Sequence, residues 1–201
     1  MLILTSRNIR KVASRAREVM SSGGTVVYPT DTVYGLGADA TNEDAVRRVY
    51  ELKRRPRSMP LSVAVPDIAT LKKYGRVAER YADLLARILP GPYTLILPCR
   101  TVLPVCQENK IGLRMPDHPL VPLLCQEFPV TCTSANISGR PSPRTASEVE
   151  VDADLVIDGG PCRAGLESTI IDLSSRRPRI LRRGAGDLAG IAEILRDPEL
   201  A

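Results

Sequence analysis

Hydrophobic positions first recur at helical spacing between Arg7 and Met20, where Ile9, Val12, Ala13, Ala16, Val19 and Met20 share one face. Ser6 or Thr5 is placed to cap this helix, and Gly23-Gly24 to end it. The pattern then shortens to an apolar run, Thr25 to Tyr28, which reads as a strand stopped by Pro29. A polar, glycine-bearing loop follows from Thr30 to Asp39. Asn42 to Leu52 is a second amphipathic helix, with Thr41 or Asn42 as its cap and Glu43 and Asp44 in its first turn. Pro56 keeps the basic run Lys53 to Arg57 outside that helix.

Further strands are predicted at Leu61–Val65, Tyr93–Leu97, Lys110–Met115, Val130–Thr133, Asp154–Ile157, Ser168–Leu173 and Arg179–Leu181. Helices fall at Asp67–Tyr74, Val77–Leu89, Leu120–Phe128 and Asp187–Arg196. Ser174 to Pro178 suits a hairpin, so the last two strands are expected to pair antiparallel. Strands interleaved with helices plus one hairpin imply an α/β fold with a mixed parallel and antiparallel sheet. No internal repeat or interdomain linker interrupts the pattern, so residues 1–201 are read as one domain.

Composition narrows the function classes. The 201 residues are 43% hydrophobic and 25% charged, enough to bury roughly 70% of the unfolded surface without a metal or disulfide staple. No apolar run approaches the ~18–20 residues of a membrane span, and Met1 to Leu4 is too short for a signal peptide, so a cytoplasmic protein is expected. Five cysteines, none in a CxxC pair, and a single histidine, His118, argue against a zinc site and suit buried free thiols. The net charge of +5 is carried mostly by arginine, whose planar fork suits phosphate and carboxylate. Thermostable surface ion pairs explain a typical surface arginine equally well.

Four polar segments lie at the ends of predicted strands, where open α/β sheets place ligands. They are Tyr28 to Gly37, Lys53 to Pro56, Ser134 to Pro143, and Ser168-Thr169 with Arg182 to Gly184. Their hydroxyls, amides and guanidinium groups suit an anionic, oxygen-rich ligand such as a nucleotide. Gly-Lys occurs nowhere, which excludes a Walker A loop, and Gly35-Leu-Gly37 is cut off from its strand by Pro29, unlike a dinucleotide fingerprint. His118 sits between prolines without a nucleophile elbow, and reads as a turn residue. Many donors with no evident nucleophile or base point to phosphoryl or nucleotidyl transfer, where positioning and charge neutralisation dominate. Loop and cap satisfaction remains open for Ser134, Asn136 and Ser142 taken singly.

An ordered set of motifs sharpens this reading. Tyr28-Pro-Thr-Asp-Thr-Val-Tyr-Gly-Leu-Gly37, Lys53-x-Arg55-Pro56, Gly112-Leu-Arg-Met-Pro116, Thr133-Ser-Ala-Asn-Ile-Ser-Gly-x-Pro-Ser-Pro143, Ser168-Thr-Ile-Ile-Asp172 and Ile180-Leu-Arg-x-Gly184 span residues 25 to about 186. Together they resemble the YrdC-type L-threonylcarbamoyladenylate synthases. The resemblance implies a twisted α/β fold with a large, concave, basic cavity. It also implies a nucleotidyltransferase that converts L-threonine, bicarbonate and ATP into threonylcarbamoyl-AMP and pyrophosphate, with Mg²⁺ carried by the nucleotide. The product would supply a downstream tRNA threonylcarbamoyl transferase, for modification of tRNA next to the anticodon.

By the same resemblance, Lys53 and Arg55 are the catalytic pair that handles ATP phosphates, and Arg114, Ser134, Asn136, Ser142 and Arg182 join them in ATP binding. Thr30, Thr32, Tyr34, the carbonyl of Cys132 and Ser168 form the threonine pocket. One position departs from the pattern: where many relatives read Pro-Leu-Ile-Val-His, this chain reads Pro60-Leu-Ser-Val-Ala64. Ser62, another group or water must then supply the missing contact, or threonine binds more weakly. The chain is also read as lacking the additional C-terminal domain of longer relatives, so loops would have to close the site. Two alternatives accompany the synthase: a non-catalytic binder of tRNA or double-stranded RNA, suggested by the basic charge, and carbamoyl transfer of the hydrogenase-maturation type.

Overall fold

The computed structural model describes residues 1–195; Arg196, the expected last residue of the closing helix, lies outside the described residues. In chain order the elements are β1 (Leu2–Ile3), α1 (Ile9–Ser21), β2 (Val26–Tyr28), β3 (Gly35–Gly37), α2 (Glu43–Leu52), β4 (Ser62–Ala64), α3 (Ile68–Tyr74), α4 (Ala82–Ile88), β5 (Tyr93–Pro98), β6 (Lys110–Arg114), α5 (Leu120–Leu124), β7 (Val130–Thr131), β8 (Thr133–Ser134), β9 (Leu155–Asp158), β10 (Thr169–Asp172), β11 (Arg179–Arg182) and α6 (Leu188–Leu195). They build two sheets, ordered β1-β9-β2-β3-β8 and β11-β10-β5-β6-β4-β7.

Both sheets mix parallel and antiparallel pairs. β9 runs parallel to β1 and β2, and β2 turns back antiparallel into β3. In the larger sheet β10 is parallel to β5, β4 is parallel to β6, and β10–β11 is the antiparallel hairpin expected from Ser174 to Pro178. Asn42 caps α2 by accepting from the Ala45 amide at 3.1 Å, and Asp67 caps α3 through Thr70 at 2.6 Å. At α1 the Thr5 or Ser6 cap is replaced by Asn8, which makes no side-chain cap bond and accepts instead from the Thr5 amide at 2.8 Å.

Four expectations are revised. The loop Thr30–Asp39 contains strand β3, because Gly35 and Gly37 let the buried Tyr28 ring lie flat on the hairpin. A Cβ at Gly37 would stand 2.7 Å from that ring. The helix expected over Leu120–Phe128 stops at Leu124, and the one over Val77–Leu89 begins with a 3₁₀ turn at Glu79–Tyr81. The single strand Val130–Thr133 divides at Cys132, with β7 pairing to β4 in the larger sheet and β8 to β3 in the smaller.

Hydrophobic side chains form two clusters. One joins α2, α3 and α4 to the larger sheet through Val49, Leu71, Leu85, Leu95 and Leu113; the other packs α1 and α5 against β2 through Ala16, Met20, Leu120 and Leu124. These clusters fix the backbone on both sides of Cys132, where the polar residues gather.

Candidate active site

The division at Cys132 creates the site. The backbone leaves one sheet and enters the other within one residue, and Ser62 on β4 holds the crossing point from both sides. The Cys132 amide donates to the Ser62 carbonyl at 2.7 Å, and the Ser62 hydroxyl donates to the Cys132 carbonyl at 2.5 Å. Beside this crossing opens a cleft of about 230 Å³, lined among others by Arg55, Ser62, Thr94, Arg114, Ser168 and Arg182. Gly112 gives the floor its depth: a Cβ there would press to 3.3 Å from Ile96 and 3.5 Å from Ser62.

One end of the cleft is built for negative charge. Arg55 leaves the loop after α2, and its Nε and Nη2 each donate at 3.0 Å to the carbonyls of Met59 and Pro60, which shapes its own loop. Arg182, at the end of β11, donates from Nε to the Ser168 carbonyl at 3.0 Å and from Nη2 to its hydroxyl at 3.1 Å. Gly184 permits this approach, since a Cβ there would overlap the backbone of Glu167 and Ser168. Burial lowers both guanidinium pKa values. Glu167 lies between them: it pairs with Arg182 Nη1 and accepts from the Ser142 hydroxyl at 2.6 Å.

Lys53 lies behind this end, 1% exposed. Its ammonium donates to the Ser134 carbonyl at 2.5 Å, the Asn136 carbonyl at 2.9 Å and Asn136 Oδ1 at 3.2 Å. Those acceptors match the three protons of an ammonium. Burial above all, with Arg55 adding to it, brings the Lys53 pKa down to about 8, while Glu167 opposes the shift. The Asn136 amide in turn donates to the Arg140 carbonyl at 2.6 Å and to the Ile137 carbonyl at 3.1 Å. Lys53 and Asn136 thus set the path of the loop that carries Ser134 past the cleft.

The other end is a buried ion pair. Arg114 Nη2 contacts Asp31 Oδ1 at 3.3 Å and donates to the Thr32 hydroxyl at 2.9 Å. Thr30 and Thr32 share a hydrogen bond at 2.9 Å. Asp31 Oδ2 and Arg114 Nε are buried with no hydrogen-bond partner, so the pair is incompletely satisfied. Ser168 and Thr94 share a hydrogen bond at 2.8 Å across β10 and β5, on the wall between the two ends. The Tyr34 hydroxyl points away, donating to the Gly160 carbonyl at 2.7 Å, and burial raises its pKa to about 12.

Of the residues singled out from the sequence, Arg55, Arg114, Cys132, Ser134, Ser168 and Arg182 line the cleft. Thr32, Thr30, Lys53, Asn136 and Ser142 stand one contact behind it, bonded to Arg114, the Val33 carbonyl, the Ser134 carbonyl, the Ser134 hydroxyl and Glu167 in turn, and Tyr34 braces the Gly159-Gly160 turn. Ala64 is fully buried in the second hydrophobic cluster, so its position offers no polar contact to the cleft. Glu167, Thr94 and the Asp31 partner of Arg114 were not predicted as site residues, whereas Ser62, named from the sequence as one source of the missing contact, lines the cleft. Only Glu167, the residue before Ser168-Thr169, had a local signal: an isolated acid in an otherwise basic and hydroxyl-rich segment.

The arginine cleft and its flanking motifs coincide with a known family. The family model for Sua5, YciO and YrdC, described as telomere recombination, matches residues 18–184. This chain belongs to the Sua5/YciO/YrdC family. A Bacillus subtilis relative named threonylcarbamoyl-AMP synthase is 41% identical over 182 residues, covering 85% of this chain and 53% of the relative. A Methanocaldococcus jannaschii relative, named putative threonylcarbamoyl-AMP synthase, is 38% identical, covering 90% of this chain and 89% of the relative. The solved structure of Pyrococcus abyssi Sua5 complexed with L-threonine superposes with a TM-score of 0.86 at 37% identity, over 96% of this chain and 59% of that one. Within the family the chain therefore spans a little over half the length of some members and nearly the whole of others. No helix among the described residues is long and apolar enough to cross a membrane.

Proposed function

We propose that this chain is an L-threonylcarbamoyladenylate synthase, consuming L-threonine, bicarbonate and MgATP. The observation that carries the proposal is the two-ended cleft: Arg55 and Arg182 at a phosphate-ready end, and the Arg114–Asp31 pair with Thr32 at a buried amino-acid end. The threonine amine adds to bicarbonate-derived carbon with loss of water, giving a carbamate. A carbamate oxygen then attacks the α-phosphorus of ATP, the bond to the β-phosphate breaks, and pyrophosphate leaves. Arg55 and Arg182 neutralise the departing charge, and the Ser134 hydroxyl, whose own proton goes to Asn136 Oδ1 at 2.5 Å, accepts from a ribose hydroxyl. Lys53 keeps that loop in place and adds its charge from behind.

The amino-acid end receives threonine's carboxylate at the Arg114 guanidinium. Ser168 and Thr94 offer hydroxyls to the substrate side chain, the part a site must hydrogen-bond to reject valine. Ser62 takes over the wall beside Ala64, with its hydroxyl already directed at the Cys132 carbonyl. The Thr-carbamoyl product would pass to a cytoplasmic tRNA-modifying transferase. Pyrophosphate release from ATP by the purified protein tests the whole reading: release should require L-threonine and bicarbonate together. Release that ignores either substrate would sink it.

Glu167 adds a second expectation. Its carboxylate neutralises Arg182 and lies in the field of Lys53 and Arg55, where an incoming polyphosphate must compete with it. Glu167→Gln should tighten inhibition by inorganic pyrophosphate by roughly three- to tenfold, a modest figure because the group is only half-buried. Weaker inhibition would instead show that Glu167 acts by orienting Arg182.

A further inference from the structure

The chain between β5 and β6 is an excursion closed at its base and pinned to the Arg55 loop. At the base the Cys99 amide donates to the Asn109 carbonyl at 2.8 Å, and Gln107 and Lys110 exchange backbone bonds at 3.1 and 2.8 Å. Farther out, the Cys106 amide donates to the Leu103 carbonyl at 2.9 Å, which folds Cys106 back over the strand end. Gln107 Nε2 then donates to the Arg57 carbonyl, and stands 3.3 Å from the Tyr50 hydroxyl on α2. Arg57 closes the basic run that begins at Lys53, so residues 99–109 brace the loop that presents Arg55.

That fold-back brings two thiols together. Cys99 Sγ lies 2.8 Å from Cys106 Sγ. A disulfide needs about 2.0 Å, so the sulfurs are less than about 1 Å from bonding. Their environments differ. Cys99 is 3% exposed, whereas Cys106 is half-buried and reachable from solvent. The Cys106 sulfur also accepts from the Leu103 amide at 3.2 Å. The remaining cysteines, Cys125, Cys132 and Cys162, are all buried.

We propose that Cys99 and Cys106 form a peroxide-oxidisable dithiol, which closes to an intramolecular disulfide and locks the 99–109 excursion against the Arg55 loop. The Cys106 sulfur attacks one oxygen of a hydroperoxide, the O–O bond breaks, and a sulfenic acid forms with release of water or alcohol. The Cys99 sulfur then attacks the Cys106 sulfur, the S–O bond breaks, and the hydroxyl leaves as water with the Cys99 proton. Two thiols are oxidised and one peroxide is reduced. Burial, reinforced by the neighbouring sulfur, pushes the Cys99 thiol up to about 12, so the second step is the slow one at neutral pH and the sulfenic acid should be trappable.

The test treats the reduced full chain with a slight excess of hydrogen peroxide and follows it by thiol titration, peptide mapping and hydrogen exchange. Five titratable thiols should fall to three, with a 99–106 linkage in the map that dithiothreitol reverses. Exchange at 100–109 and 54–58 should slow in the oxidised form. Cys99→Ser should accumulate a Cys106 adduct with a sulfenic-acid-selective carbon nucleophile, and Cys106→Ala, at the more exposed position, should keep its remaining thiols through the same treatment. Five surviving thiols, a different linkage, or over-oxidation of Cys106 in the unmodified sequence would overturn the dithiol. Unchanged exchange at 54–58 would overturn its link to the Arg55 loop.

Discussion

Replacing Lys53 with methionine is expected to lower synthase turnover at least about a hundredfold while leaving a folded protein, the scale at which a misplaced binding group affects catalysis. The reason lies in what the ammonium holds. Without it the carbonyls of Ser134 and Asn136 and the Asn136 side-chain oxygen lose their common donor. Asn136 Oδ1 still accepts from the Ser134 hydroxyl at 2.5 Å; each buried carbonyl left unpaired costs about 1–3 kcal/mol, but removing a buried charge returns part of that cost. The net destabilisation is therefore expected at roughly 2–3 kcal/mol, well below the sum of the parts. Faster hydrogen exchange at 134–140, with α1 and α5 unchanged, would separate a loosened loop from global unfolding.

The same lysine gives a pH signature. Its folded pKa of about 8 lies below the ordinary 10.5, so between those values the unfolded chain binds the extra proton. This group's contribution to stability therefore rises with pH across that window and is lost as pH falls through about 8. In the proposed reaction activity runs the opposite way, because the ammonium is the form with three donors and the charge that would stand behind the phosphates. Turnover should decline above pH 8, and Lys53→Arg, which stays charged, should remove that basic limb wherever it retains activity. A pH profile for the unmodified sequence that stays flat from 7 to 9.5 would mean the charge is not required.

Lys53 also shows how far the sequence could be read. Its place in a Lys-x-Arg run marked it as a charged group near the ligand, and Arg55 two residues later lines the cleft. Residue spacing cannot reveal that the longer reach of Lys53 ends on backbone carbonyls some eighty residues away, since that partner exists only after β8 has been laid beside β3. Helices α1, α2 and α3 were legible because a period near 3.6 and an end signal coincide. Strand β3 was not, because Gly-Leu-Gly has neither apolar alternation nor β-branched residues, and owes its strand geometry to Tyr28 across the hairpin. The break at Cys132 was hidden for a related reason: Val130 to Thr133 has an uninterrupted strand-like pattern, and only the competition of β3 and β4 for it divides the run. Motif order thus located the cleft, while the long-range partners Glu167 and Asp31 needed the fold.

The Arg114–Asp31 pair should give the largest stability effect. Arg114→Leu leaves the Asp31 carboxylate, 3% exposed, without its cation, and breaking one partner of a buried pair costs about 3–5 kcal/mol. For a chain of this size that corresponds to a fall in Tm of roughly 6–20 °C. Asp31→Asn alone should cost less, because the amide oxygen still accepts from Arg114 and no carboxylate has to be kept desolvated. The double variant Arg114→Leu, Asp31→Leu is the informative one: with both charges gone, it should recover a large part of the loss. Activity should not follow. If Arg114 receives the threonine carboxylate, the double variant regains its Tm yet keeps a KM for threonine raised at least about tenfold, with the KM for ATP little changed. Recovery of the threonine KM together with the Tm would reduce Arg114 to a structural residue and move carboxylate recognition to Arg182, the next guanidinium along the cleft.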